Sequence, residues 1–419
     1  MTILLLLFLF AILSGQDHPS THQLMLEKYR DQIINNDIIA VRTGLDIILS
    51  DSLHLIAGKR LALVTNQSGV DADGIPNYRR LMALPQVEMA IIFSPEHGLF
   101  GEASAGESVQ YNAQDSLPRV VSLYGKTRKP ASEMLADVDL ILYDIQDIGA
   151  RFYTYISTLG LVMEAAAENR IPVIVLDRPN PIRGDRIEGP LLHPEFKSFV
   201  GYYPLPIQYG LTVGELARLI QQEEWINPMP SVSVIPCAGW IPNLWYDETT
   251  LPWIKPSPNI PNLTTAIVYP GLCFLEAVNV NEGRGTLRPF LQFGAPWIND
   301  TTLARELNQL HLPGIVFSPV RYTPVSLPGM SENPRYQGEE CHGVELAVTD
   351  RNQFQAITAG ISIIHVLATL YPDRLEFNEK WFSRLWGDSD WRRYVENPTL
   401  VHEINLTEYE TKIQSIRLY

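Results

Sequence analysis

The sequence predicts an α/β fold: a parallel sheet with helices on both faces, joined to a smaller α+β C-terminal domain. Three observations carry this. Four apolar, β-rich runs recur at residues 61–65 (LALVT), 89–94 (MAIIFS), 138–144 (VDLILYD) and 171–177 (IPVIVLD). Each is nearly continuous rather than alternating, the pattern of a strand covered on both faces. Helix-compatible segments such as 157–169 (STLGLVMEAAAEN) lie between them, and a βαβα order makes the strands parallel.

The elements follow in chain order. Residues 1–15, MTILLLLFLFAILSG, form an apolar run short of a bilayer span, followed by small and polar residues. This is the pattern of a secretory signal cleaved near residues 14–16, so the expected protein is periplasmic or otherwise exported, with no stable membrane insertion after cleavage. Residues 16–40 read as a polar leader. At 419 residues the chain exceeds one ordinary core, so a main domain over 41–300 and a smaller one over 301–419 are expected. Thr212-Val213-Gly214-Glu215 has capping-box spacing and opens a helix, LARLIQQEE. Residues 225–300, rich in Pro, Trp and Asn, read as long loops over the sheet. Beyond them come a helix (ARELNQL), strands around IVFSPVRY and GVELAVTD, and a long apolar helix, FQAITAGISIIHVLATLY.

Composition excludes several classes. Apolar residues make up 46% and charged residues 19%, as in a folded globular protein, and the net charge of −15 argues against general affinity for nucleic acid or anionic membrane. Three cysteines, without a CxxC pair, form neither a disulfide framework nor a metal knuckle. No GxGxxG follows the first strand, and GxxxxGK[ST], HExxH and GxSxG are missing. Dinucleotide, P-loop, zinc-protease and serine-hydrolase readings therefore lack their loops. No cofactor and no metal are expected; the charge and composition leave the oligomeric state open.

In an open parallel sheet the loops beyond the strands' carboxyl ends converge on one crevice. Here those ends read Asn66-Gln67-Ser68-Gly69, Pro95-Glu96-His97-Gly98, Asp144-Ile145-Gln146-Asp147 and Asp177-Arg178-Pro179-Asn180, with Arg151, Tyr153 and Tyr155 just beyond the third. An Asp at a strand end also serves as a turn former, and a lone His is often a scaffold residue. Glu96, between Pro95 and the His97-Gly98 turn, neither caps a helix nor hides in one, which makes it the leading functional candidate. A second cluster runs over residues 276–286 (EAVNVNEGRGT), with Glu276, Asn279, Glu282 and Arg284; the glycines flanking Arg284 let backbone approach a ligand. Tyr153, Tyr155, Trp240, Trp245, Tyr246 and Trp253 offer faces against which a sugar could stack. Carboxylates, amides, arginines and aromatics around a crevice are the ingredients of a glycoside hydrolase.

Nine segments, LVTNQSGV, FSPEHGLFGE, SLYGKTRKP, DIQDIGARFYTYISTLG, LDRPNPIRG, YGLTVGELA, PSPNIPNL, YPGLCFLEAVNVNEGRGT and FGAPWI, resemble the NamZ family of exo-β-N-acetylmuramidases, formerly a domain of unknown function. The resemblance runs from about residue 41 to the C-terminus. It implies a Rossmann-like main domain, a smaller C-terminal domain, and removal of N-acetylmuramic acid from the non-reducing end of peptidoglycan fragments. It also implies a catalytic role for the glutamate of SPEHG, here Glu96. One departure stands out, because the usual Glu-Gly-Thr-Asn becomes Glu276-Ala277-Val278-Asn279.

Glycoside cleavage needs a proton donor to the leaving oxygen and a group that stabilises or captures the anomeric centre. Glu96 is assigned the first task and Glu282 the second, with Asp147, Glu276 and Tyr155 as rivals. Arg151, Arg178 and Arg284 are the candidates for reading the lactyl carboxylate of muramic acid. The competing classes are a non-catalytic periplasmic binding protein for amino sugars or muropeptides, and a metal-dependent amide hydrolase acting on the same fragments.

Overall fold

The computed structural model describes residues 40–103 and 117–419, so the expected signal and nearly all of the leader lie outside the described residues. The four apolar runs form strands β1 (Arg60–Thr65), β2 (Glu88–Ser94), β4 (Leu140–Asp144) and β5 (Val173–Leu176), joined at the edges by β3 (Arg119–Ser122) and β6 (Val232–Ile235). All pair in parallel, in the order β3-β2-β1-β4-β5-β6. Chain direction across the sheet therefore reverses between β1 and β4, and the loops leaving these two strands diverge and open a crevice.

The near-continuous apolar character of the strands follows from the pleat, which sends successive side chains to opposite faces. Leu61, Leu63, Leu140 and Leu142 pack on one face against Leu45 and Ile48 of helix α1 (Gly44–Ser50) and Leu81 of helix α2 (Asn77–Met82). Ala62, Val64, Ile141 and Tyr143 pack on the other face against helices α3 (Tyr155–Asn169) and α4 (Val213–Gln222). The capping box at the start of α4 is present: Thr212 Oγ1 accepts from Glu215 N, while the Glu215 carboxylate accepts from Thr212 N.

The region read as loops holds more regular structure than its Pro and Trp content suggested. It contains β6, helix α5 (Leu263–Leu272) and strand β7 (Gln292–Ala295). Pro270 lies inside α5, and such a residue lowers helix propensity so far that only tertiary packing retains the helix. After helix α6 (Asp300–Gln309), strands β8 (Ile315–Tyr322) and β9 (Cys341–Val348) complete an antiparallel sheet in the order β7-β9-β8, covered by helix α7 (Ala356–Leu370). This small sheet thus takes its first strand from before residue 301.

Helices α8 (Glu379–Trp386), α9 (Trp391–Glu396) and α10 (Thr407–Gln414) follow. One apolar core runs from the α3 face of the large sheet through Phe274 and Phe293 to Phe382 and Trp386. The C-terminal Tyr419 returns to the large sheet, its hydroxyl donating to Asp177 Oδ2 across 2.8 Å.

Candidate active site

A cavity of about 500 Å³ opens beyond the carboxyl ends of the central strands, between the large sheet's loops and the C-terminal helices. Its size is that of a small-ligand pocket. Glu96 and His97 enter it from the turn after β2. His97 has φ of 70°, a left-handed conformation that is unfavourable for a non-glycine residue, and this sharp turn ends the strand with Glu96 at the cavity wall. Thr154, at the start of α3, donates from Oγ1 to Glu96 Oε2 across 2.8 Å. The Tyr124 hydroxyl also hydrogen-bonds to Glu96; burial, reinforced by that carboxylate's charge, pushes the phenol up to about 12. Two hydroxyl donors from separate loops thus fix one carboxylate.

His97 is only 5% exposed. Its Nδ1 lies 2.8 Å from the Ala103 carbonyl, which can only accept, so Nδ1 carries the hydrogen and Nε2 is left as an acceptor. Burial lowers the imidazole below its ordinary pKa and the Arg284 charge pushes the same way, against Glu96 and the Ala103 hydrogen bond. The ring is therefore a neutral, anchored support next to Glu96.

In the same cavity, one guanidinium nitrogen, Arg284 Nη1, reaches Glu276 Oε1 and Glu282 Oε1, both at 2.8 Å. Burial opposes charge on Arg284, but the two carboxylates more than offset it and hold the group protonated. The guanidinium also sits 5.0 Å from the centroid of the Phe290 ring. Glu276 lines the cavity, whereas Glu282 is 7% exposed and sits outside the lining. The flanking glycines serve the turn itself: Gly283 has φ of 82°, and a Cβ there would stand 2.6 Å from the Arg288 carbonyl oxygen. Ala277 and Val278, the departures from the family pattern, are buried in the core, so they alter packing behind Glu276 and leave the cavity surface unchanged.

The cavity brings together Glu96, His97, Tyr153, Tyr155, Glu276 and Arg284 of the sequence-derived candidates. The others lie outside its lining, with partners of their own. Asp144 accepts from Arg178 and from Asn77 in a buried cluster below the rim. Asp177 accepts from Thr212 Oγ1 and Gly214 N. Asn180 closes its own turn, accepting from Ile182 N, and Asn66 does the same with Ser68 N. Gln146 donates to the carbonyls of Asp147 and Pro179. Asn279 is tied to the backbone of Arg374 and Glu376.

Asp147 accepts from Gly149 N at 2.7 Å and from the Tyr209 hydroxyl, and burial raises its carboxyl to about 7. Arg151 is fully buried and donates from Nη1 and Nη2 to four carbonyls, those of Pro190, Leu205, Leu385 and Trp386. Among the proposed stacking faces outside the tyrosine pair, Trp245 packs against Arg183, Arg186 and Arg351 instead.

Sequence reasoning missed Tyr124, Arg128, Thr154, Asn259, Trp381 and Arg384 in the lining. Tyr124 and Arg128 lie in SLYGKTRKP and Asn259 in PSPNIPNL, motifs that carry the family resemblance but by themselves give these side chains no role. Trp381 and Arg384 come from α8 and carry no local signal. Among the described residues no group of three His, Cys, Asp or Glu side chains is placed to hold a metal ion, and no helix is long and apolar enough to cross a membrane.

Comparison with known proteins adds the following. The family model described as exo-β-N-acetylmuramidase NamZ, N-terminal, matches residues 61–264, and its C-terminal counterpart matches residues 267–419. The chain is 44% identical over 376 residues to the peptidoglycan β-N-acetylmuramidase NamZ of Bacillus subtilis (strain 168), covering 89% of this chain and 88% of that protein. Two crystal structures of DUF1343 family proteins from Bacteroides fragilis NCTC 9343 share its fold. One has a TM-score of 0.82 at 35% identity, the other 0.74 at 29%; each comparison covers 91% of this chain and 99% of the other.

Proposed function

The chain belongs to the NamZ family of exo-β-N-acetylmuramidases, and from that premise we propose how its cavity performs the reaction. The protein is a glycosidase that releases N-acetylmuramic acid from the non-reducing end of peptidoglycan fragments. Its membership in an enzyme family displaces the reading as a non-catalytic binding protein.

The observation that carries the assignment is Glu96, a carboxylate at the cavity wall oriented by Thr154 and hydrogen-bonded by Tyr124. Glu96 acts as general acid and base. It protonates the leaving oxygen as the glycosidic bond breaks, then takes a proton from the incoming water. Tyr124 and Thr154 fix which carboxylate oxygen faces the bond. Neutral His97 supports the turn without placing a second positive charge beside the acid.

Glu276, at the cavity wall, supplies the negative charge that stabilises the developing oxocarbenium ion, and Arg284 anchors it through a 2.8 Å hydrogen bond. Glu282 accepts from the same Arg284 nitrogen from outside the lining. This exchanges the roles expected from sequence for the two glutamates, because a carboxylate outside the lining cannot approach the anomeric carbon.

We further propose that the protein works outside the cytoplasm. The apolar run at residues 1–15 and the extracytoplasmic position of peptidoglycan support that reading, which a fractionation experiment with and without residues 1–15 tests.

The deciding assay is release of free N-acetylmuramic acid from a disaccharide with that sugar at its non-reducing end. Glu96→Gln should keep the fold and lower turnover by ~10²-fold or more, the scale for losing an acid–base group. Near-normal turnover in a folded Glu96→Gln protein removes Glu96 from the mechanism.

A further inference from the structure

N-acetylmuramic acid differs from N-acetylglucosamine by a lactyl ether that ends in a carboxylate. Reading that group requires a cation facing the cavity whose charge is not already spent on a protein carboxylate. Of the three arginines named from the sequence, Arg178 is consumed by Asp144, Arg151, itself outside the cavity lining, by four carbonyls, and Arg284 by two glutamates.

Two other arginines line the cavity, Arg128 and Arg384. Neither forms an ion pair among the described residues; the neighbouring basic residue Lys129 is the one that pairs, with Glu164 and Glu168. Both border the same stretch of chain. The Arg128 guanidinium lies 4.4 Å from the centroid of the Phe199 ring, and Arg384 shares a surface depression with Phe196 and Lys197.

A guanidinium stacked on a ring keeps its N–H edge open for a planar, two-point hydrogen bond to a carboxylate. Arg128 is also close to the reacting end of the cavity, since its charge acts on the hydroxyl of Tyr124, which itself bonds Glu96. Arg384 is carried on α8, whose last carbonyls are held by Arg151, so its backbone position is rigid.

We propose that Arg128 and Arg384 together read the lactyl carboxylate and so select muramic over glucosamine substrates; this rests on the muramidase reading above. The lactyl group is on C3 of the sugar whose C1–O bond is cleaved, and a cationic side of the cavity next to the Tyr124–Glu96 pair is where it would fall.

The test compares kcat/KM of the full chain on a matched β-muramide and β-glucosaminide that differ only in the lactyl ether. Arg128→Gln and Arg384→Gln should each lower the muramide-to-glucosaminide ratio by roughly tenfold or more, the scale of a hydrogen bond to a charged group. Equal losses on both substrates, or an unchanged ratio, overturn the proposal. Should Arg384→Gln fail to fold, Arg384→Lys keeps the stem and charge but loses the planar fork, and a lowered ratio is again required.

A second measurement separates this inference from the function it rests on. Calorimetric titration of free N-acetylmuramic acid and of N-acetylglucosamine into the Glu96→Gln protein should show preference for the first. That preference should fall in the Glu96→Gln/Arg128→Gln protein. A wild type that cleaves neither substrate defeats the functional reading, whereas equal binding of the two sugars to Glu96→Gln defeats this one.

Discussion

Thr154 Oγ1 donates to Glu96 Oε2 across 2.8 Å, joining the loop before α3 to the turn after β2. The two residues stand 58 positions apart, and only the parallel sheet brings them together. A hydroxyl fixed on a helix start can orient one carboxylate oxygen without adding charge.

Thr154→Val removes that donor while keeping the branched shape. Turnover should fall about tenfold, the cost of a lost hydrogen bond to a charged group, and Thr154→Ser should recover most of it. Steady-state kinetics on the muramoyl disaccharide decide the point; equal activity in the Val and wild-type proteins means the Thr154 hydroxyl does not orient Glu96.

Glu276→Gln should lower kcat more than Glu282→Gln does, because only Glu276 lines the cavity. The Glu282 change should appear chiefly as lost stability, since it unpairs one side of Arg284. Arg284→Met should destabilise by on the order of 3 kcal/mol, as expected when one partner of a largely buried charge cluster is removed. Chemical denaturation and kcat measured on the same three proteins test this, and a larger kcat loss in Glu282→Gln reverses the assignment.

Arg151 is a buried cation without a carboxylate partner, and burial lowers its pKa to about 9. It binds the carbonyls of Leu385 and Trp386 at the end of α8 and those of Pro190 and Leu205 in the main domain. Arg151→Met should leave those carbonyls unmatched and destabilise by about 2–4 kcal/mol. It should also raise KM, since Trp381 and Arg384 lie on the same helix. Unchanged urea midpoint and KM would show that water replaces the guanidinium without cost.

Asp147 makes stability depend on pH. Burial raises its carboxyl from 3.8 to about 7 in the folded protein, against the hydrogen bonds from Tyr209, Gly149 and Ile148. Between these two values the unfolded chain has released the proton and the folded chain retains it, so folding stability falls as pH rises from about 4 to about 7 and then levels. His97 acts in the other direction: its lowered pKa makes stability fall as pH drops below about 6.5, the ordinary histidine value. Asp147→Asn should therefore flatten the loss between pH 4 and 7 relative to wild type, measured by urea denaturation at intervals across that range. A wild-type slope retained in the variant would assign it to Asp177 or Glu188, whose carboxyls burial also raises to about 7.

Much of this was legible in the sequence, because the relevant signals are local. Runs such as LIL within β4 and VIVL in β5 are apolar on every residue since both sheet faces are covered, and the Thr212–Glu215 spacing marks a helix start wherever it lands. The βαβα order put the polar strand ends on one rim, and the Pro-Glu-His-Gly turn exposed Glu96 as more than a strand terminator. What tertiary structure alone decided is the direction and partner of each rim side chain. Asp144 and Arg178 close on each other beneath the rim, Arg151 runs away from the cavity to the end of α8, and Glu282 turns behind Arg284 while Glu276 faces inward. Tyr124, Thr154, Asn259 and Arg384 reach one cavity from four separate elements. Short-range patterns specify elements because backbone hydrogen bonding and burial repeat with a fixed period. A polar side chain in a dry rim instead takes whichever charge or carbonyl the fold brings within about 3 Å, and those partners come from distant parts of the chain.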